Sequence, residues 1–188
     1  MRQALPCPWV VGTMPGSLFA GLCIMQHAEY LPAILDFLAR IGIEVHREAL
    51  PATTFLPGIE IRQGALVLDV ERLLWPSDLL HEAGHLAVLP PAERVLASDA
   101  LADLPDIAGG GEVEAIAWSF AAAQALALPL EVLFHAGGYK GHSPGLALSY
   151  ALGVYPGAHG LVQAGMTDQV ANAAETAVYP LMRHWLRQ

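Results

Sequence analysis

The chain has 188 residues, of which 54% are hydrophobic, and carries a net charge of −9 at neutral pH. This length suffices for a sizeable core, and we predict a single domain over residues 1–188. The acidic balance and the single lysine, Lys140, argue against nucleic-acid binding, which needs clustered basic residues. Polar and proline residues interrupt the longest apolar run, residues 115–134, so we expect a buried helix pair and no membrane span. Apolar helical surface left uncovered could form a homodimer interface.

Residues 1–24 differ in composition from the rest of the chain. Both cysteines, Cys7 and Cys23, lie there, beside an apolar stretch that proline and glycine interrupt too often for a signal peptide. We interpret this segment as a peripheral extension, with Met25 as an alternative natural start. So few cysteines favour a reducing compartment, and we predict a cytoplasmic protein, although the two cysteines could also form one bridge.

An amphipathic helix is predicted over residues 28–42. Its apolar residues recur at helical spacing, and Gly42 supplies the residue at which such a helix stops. The apolar stripe consists of Leu31, Ile34, Leu35, Leu38 and Ile41.

A small sheet is predicted next in the chain. Residues 43–47, 59–62 and 65–68 each have the composition of a short strand. The last two are separated only by Gln63-Gly64, which favours a tight hairpin turn.

The segment from His81 to His85 has the pattern HExxH. On a helix, residues four positions apart lie on one face, so His81 and His85 can bind the same metal ion. In zinc peptidases with this motif, the glutamate, here Glu82, holds and deprotonates the water at the metal. Gly84 weakens a helix relative to alanine, which makes sense if another backbone packs closely against it.

The flanks of the motif predict a helix over residues 77–89. Ser77 or Asp78 can cap its free N–H groups, and Pro90 stops it. A metal-bound histidine usually donates its second N–H to a carboxylate or carbonyl, and Asp78, one turn before His81, is the candidate acceptor.

A third metal ligand is expected downstream. The loop 97–111, either a mobile flap or an ordinary connector, leads into Glu112 and Glu114, which open an Ala-rich helical stretch ending near Leu128. Either glutamate could bind the metal. Acidic residues in a first helical turn are also favoured by the helix dipole, so the pair could serve the helix alone.

The segment from Glu114 to Ala121 fits E-x-x-A-x-x-F-A, and with HExxH upstream the chain resembles the ImmA/IrrE-type minimal gluzincin metallopeptidases over roughly residues 28–130. The resemblance implies that the glutamate of this helix is the third zinc ligand. On this chain it falls on Glu114, with Glu112 as the alternative, since an E-x-E-A register also occurs in related gluzincins. Trp118 departs from the family pattern, which typically has Asn or Asp there.

The Gly-rich segment 135–142 is the best place to seek a donor for the oxyanion of peptide hydrolysis. The competing interpretation is a Gly-rich loop whose histidines, His135 and His142, lie at the surface. Residues 140–188 lie outside this resemblance and are expected to form a helical C-terminal part.

We therefore predict an α+β, mostly helical, zincin-like fold in which a small sheet packs on an HExxH helix and a glutamate-bearing helix. The predicted function is a Zn²⁺-dependent hydrolase, a peptidase acting on a peptide or protein, with His81, His85 and Glu114 as ligands and Glu82 as general base. The alternatives are a metal-binding regulatory or scaffold protein, and two core histidines that bind no metal.

Overall fold

The computed structural model describes residues 25–99, 111–169 and 177–188. Within these ranges the chain is α+β, with seven α-helices and one three-stranded sheet, which confirms the α+β part of the predicted fold. The predicted peripheral extension over residues 1–24 and most of the predicted loop 97–111 lie outside the described residues.

The first helix agrees with the amphipathic pattern. A 3-10 turn over Ala28–Tyr30 leads into α1, Leu31–Ile41. Ile34 and Leu38 of the predicted stripe are fully buried. Gly42 ends the helix at φ 87°, a conformation that side chains other than glycine rarely adopt.

The sheet has the order β1-β3-β2, with β1 at Val45–Arg47, β2 at Ile59–Arg62 and β3 at Ala65–Leu68. Strands β2 and β3 are antiparallel, and their pairing closes across Gln63-Gly64, as the hairpin prediction requires. Strand β1 runs parallel to β3. The central strand β3 is buried along its whole length, so the sheet is anchored in the core.

Helix α2, Asp78–Val88, carries the HExxH motif, and a short helix α3, Pro91–Arg94, follows it. Helix α4, Glu112–Ala125, packs directly against α2. A Cβ added at Gly84 would lie only 2.7 Å from the carbonyl oxygen of Ala115. This confirms that another backbone approaches Gly84 closely.

The predicted capping of α2 is wrong. Ser77 donates its hydroxyl to the carbonyl oxygen of Val132 at 2.7 Å, and no side-chain hydrogen bond caps the helix. Asp78 instead pairs with His135. Both polar side chains are engaged in long-range contacts, which leaves neither available to the first N–H groups of the helix.

Three short helices follow α4: α5 at Leu130–Leu133, and then α6 at Ser143–Ala151 and α7 at Ala158–Gln163 in the predicted helical C-terminal part. The end of the chain packs on the core, where the indole of Trp118 donates to the carbonyl oxygen of Trp185 at 2.8 Å. None of the helices in the described ranges combines the length and hydrophobicity that crossing a membrane requires.

Candidate metal centre

The two histidines of HExxH meet on one face of α2. His81 Nε2 and His85 Nε2 are 3.2 Å apart, and the ring planes are nearly perpendicular at 81°. This follows from the spacing of four residues, which places the two side chains one helical turn apart on the same face. Both imidazoles therefore present a nitrogen to the same point in space.

Glu112, the first residue of α4, is the third side chain that reaches this point. Its Oε1 lies 3.4 Å from His81 Nε2 and its Oε2 lies 3.4 Å from His85 Nε2. The ligand atoms of the three residues all lie within 4.8 Å of one another. Within the described ranges, no fourth His, Cys, Asp or Glu joins the group.

Glu114 faces a different helix. A Cβ added at Gly160 of α7 would lie 2.5 Å from the Glu114 carboxylate, so this side chain packs against α7. Glu112 and Glu114 differ by about 200° around the helix axis, and only one of them can point to α2. The structure thus brings the alternative, Glu112, to the histidines, and Glu114 is not part of the group.

The face of α4 that meets α2 carries small residues. Ala115 packs on Gly84, and the Ser119 hydroxyl donates to the carbonyl oxygen of Leu80 at 3.1 Å. Glu112 is three residues before Ala115 and seven before Ser119, so it shares their face. Ala117 and Ala121 stand at the same spacings from Glu114, so the small residues of α4 do not by themselves select Glu112.

The donor set and its spacing fit a metal ion. Four ligands at about 2.0–2.2 Å from one tetrahedral zinc ion lie about 3.3–3.6 Å from each other. His81 Nε2 and His85 Nε2 are 3.2 Å apart, and each lies 3.4 Å from a different oxygen of Glu112, so each pair of groups is close to this spacing. With one ligand atom taken from each residue, the three atoms lie within 4.8 Å of one another. Two imidazoles and one carboxylate are also the ligand types that zinc accepts.

Charges are strongly coupled in the group. Burial lowers the pKa of His81, but its hydrogen bond with Glu112 and the charges of Glu82 and Glu112 outweigh burial, so the net pKa is raised. Hydrogen bonds with His81 and His85 hold the pKa of Glu112 well below its usual range. The Glu112 carboxylate therefore stays ionised, the form that binds a cation.

Glu82 follows His81 on α2 and has a different environment. Burial raises the pKa of its carboxyl, and the charges of His85 and His81 oppose that shift. A carboxyl with a raised pKa is better suited to accept and later return a proton than one that stays fully ionised.

The centre is open on one side. The side chain of His81 is only 13% exposed, whereas those of His85 and Glu112 are 26% and 59% exposed. Structural zinc sites are closed by four protein ligands, while catalytic sites keep a position for water or substrate. Among the described residues, three groups converge and one side of the group is exposed.

A second polar pair lies beside the centre. His135 Nε2 is 2.8 Å from Asp78 Oδ1, and the His135 ring stacks on Trp75 at 4.2 Å with the planes 10° apart. Asp78 was expected to accept from His81, but His81 Nδ1 is buried with no hydrogen-bond partner among the described residues. Sequence reasoning missed the role of Trp75, for which no local signal existed.

Each of the two interpretations of the segment 135–142 agrees with a part of it. His135 is buried at 3% exposure, so it is not a surface histidine, whereas His142 is exposed. The ring of Tyr139 contacts the ring of His81 at 5.3 Å and 78°. The segment therefore reaches the candidate centre through Tyr139.

Comparison with known proteins finds no matching family model, curated protein or solved structure. The fold and the site define an α+β chain with a His-His-Glu group that could hold a metal ion.

Proposed function

We propose that the chain is a zinc-dependent hydrolase, a peptidase of the minimal gluzincin type with a zincin-like fold. The ligands would be His81, His85 and Glu112. The observation that carries the proposal is the convergence of one ligand atom from each of these residues within 4.8 Å, on and beside an HExxH helix in which Glu82 follows His81. The sequence resemblance to the ImmA/IrrE-type family supports the same function.

Each residue of the centre has a defined part in such a reaction. Bound zinc would supply a Lewis acid that lowers the pKa of water and polarises the scissile carbonyl. Glu82 would accept a proton from the attacking water and pass it to the leaving amine. His81, His85 and Glu112 would fix the position of the metal relative to Glu82.

The exposure of His85 and Glu112 favours a hydrolase over a metal-binding scaffold. A regulatory or scaffold protein does not require a ligand position that is open to solvent, whereas a hydrolase requires one for water and substrate. A peptide or protein is the substrate class that the resemblance implies.

The test is the metal content of the purified chain, measured by elemental analysis beside His81→Ala and the matched isosteric variants Glu112→Gln and Glu114→Gln. We expect one zinc ion per wild-type chain, loss of zinc in His81→Ala and Glu112→Gln, and retention of zinc in Glu114→Gln. Wild-type protein without metal after zinc has been supplied would overturn the proposal. Loss of zinc only in Glu114→Gln would reverse the choice of glutamate.

Hydrolysis is then tested with a mixed peptide library read by mass spectrometry. Wild-type chain should cleave peptides, and Glu82→Gln should keep its zinc and lose cleavage. Stable zinc binding without cleavage of peptides or unfolded protein would favour the scaffold function instead.

A further inference from the structure

Within the described part of the chain, the second ring nitrogen of His81 lacks the hydrogen bond that usually orients a metal-binding histidine. Metal-bound histidines commonly donate their second ring N–H to a carboxylate or carbonyl, which fixes the ring plane. His81 Nδ1 is buried, and no partner for it exists among the described residues. On the Nδ1 side the described residues therefore offer the ring packing contacts only, and Tyr139 supplies a perpendicular ring contact at 5.3 Å.

Tyr139 is itself held in an unfavourable backbone conformation. Tyr139, Lys140 and Gly141 have φ values of 53°, 51° and 83° in succession. Residues other than glycine rarely adopt positive φ, and such strain persists only where surrounding contacts impose it. The ring of Phe134 packs against Tyr139 at 5.3 Å and 60°, which supports the phenol from one side.

The contacts that impose this conformation centre on His135. Its Nε2 bonds Asp78 Oδ1 at 2.8 Å, which ties the segment to the first turn of α2. Its ring is enclosed by Trp75 on one face and by the backbone of Gly138, where an added Cβ would lie 3.1 Å from two ring atoms. The Ser143 hydroxyl donates to the carbonyl oxygen of His135 at 2.7 Å and closes the segment.

We propose that His135 is a positioning residue for the metal centre. Its contacts with Asp78 and Trp75 fix the position of the segment His135–Gly141. This segment in turn places the Tyr139 ring against the His81 ring, and that contact orients His81 so that its Nε2 points at the metal. The proposal rests on the metal site of the proposed function, since it requires His81 to be a ligand, but it does not depend on hydrolysis.

The test is zinc affinity of the full chain, measured by competition with a chelator well below the unfolding temperature. Loss of an outer contact to a metal-binding histidine typically weakens affinity about 10–100-fold. We expect a loss of about tenfold for His135→Ala and for Tyr139→Ala. Tyr139→Phe should stay near wild type because the ring is retained.

A double variant separates positioning from a general effect on folding. If His135 acts through Tyr139, the His135→Ala/Tyr139→Ala chain should bind zinc no more weakly than Tyr139→Ala alone. The absorption spectrum of bound Co²⁺ should change in both single variants, since it reports coordination geometry that a purely structural role would leave intact. Tyr155→Ala, which removes a partly buried tyrosine packed on Phe120, is the matched control and should bind zinc normally.

A folded His135→Ala chain with wild-type zinc affinity and a wild-type Co²⁺ spectrum would overturn the proposal. A double variant whose loss of zinc affinity equals the product of the two single losses would also overturn it. A Tyr139→Phe chain as weak as Tyr139→Ala would assign the effect to the hydroxyl and overturn the packing argument. If His135→Ala does not fold, Asp78→Ala and Tyr139→Ala carry the same comparison. Loss of zinc from wild-type chain would instead show that the metal site itself fails, and a chain that binds zinc without hydrolysis leaves the inference standing.

Discussion

Gly84 of α2 and Ala115 of α4 lie so close that any side chain at position 84 would meet the Ala115 carbonyl oxygen at 2.7 Å. This contact sets both the distance and the rotation of α4 relative to α2. Glu112 lies one turn before Ala115 on the same face, so the contact also brings the third carboxylate to the two histidines. A packing feature thus assembles the candidate centre.

Replacing Gly84 by alanine should therefore damage the centre. Alanine favours a helix by about 1 kcal/mol over glycine, but here the added methyl must push α4 away, at a cost of about 1–3 kcal/mol. We expect lower stability in denaturant titration and weaker zinc binding. Gly145→Ala in α6, where an added Cβ meets nothing within 4 Å, is the control and should stabilise the chain. Equal behaviour of the two variants would contradict the role given to the Gly84 contact.

Glu82→Gln should separate metal binding from catalysis. Glutamine has nearly the same shape but accepts no proton, and loss of a general base typically lowers the rate about 10²–10⁴-fold. Zinc content should stay at the wild-type level, since Glu82 is outside the group of converging ligand atoms. The rate of peptide cleavage at saturating substrate is the measurement. Full activity of this variant would remove Glu82 from the mechanism.

Zinc affinity should rise with pH. In the metal-free chain the pKa of His81 is raised above its usual value, because Glu112 and Glu82 outweigh the effect of burial, and zinc must displace that proton. Affinity should therefore be weak below the raised pKa of His81 and level off above it. Protonation of His81 also stabilises the folded metal-free chain, and this contribution is lost as the pH rises through the same pKa. Chelator competition at a series of pH values tests the first trend, and a pH-independent affinity would contradict it.

Arg94 should be important for the stability of the helix that carries HExxH. Its guanidinium donates to the carbonyl oxygens of Leu86 and Leu89 at 2.9 Å and of Arg187 at 2.7 Å, and burial lowers its pKa. Arg94→Ala leaves these carbonyls without a donor and should cost about 1–3 kcal/mol in denaturant titration. Arg72, whose side chain is 47% exposed and pairs with Asp69 at 3.4 Å, is the control. Arg72→Ala should cost about 0–1 kcal/mol, and similar losses for both would show that the carbonyl contacts of Arg94 carry little weight.

Local patterns were sufficient for several elements. Helical periodicity located α1 and the HExxH helix, and the turn residues Gln63-Gly64 located the hairpin, because each depends on neighbours within a few residues. The pairing of His81 with His85 belongs to the same class, since it is a property of any helix with that spacing. These features were predictable without knowing how the helices pack.

Long-range packing was needed for the rest of the centre. Glu112 and Glu114 are equally placed in the first turn of α4, and only the rotation of α4 against Gly84 directs Glu112 to the histidines and Glu114 to α7. Asp78 bonds His135, 57 residues away, and not the nearby His81. Such partners are chosen by which surfaces meet when the core closes. Side-chain type and local spacing indicate which groups a residue can bind. The relative orientation of the packed helices determines which of these groups it contacts in the folded chain.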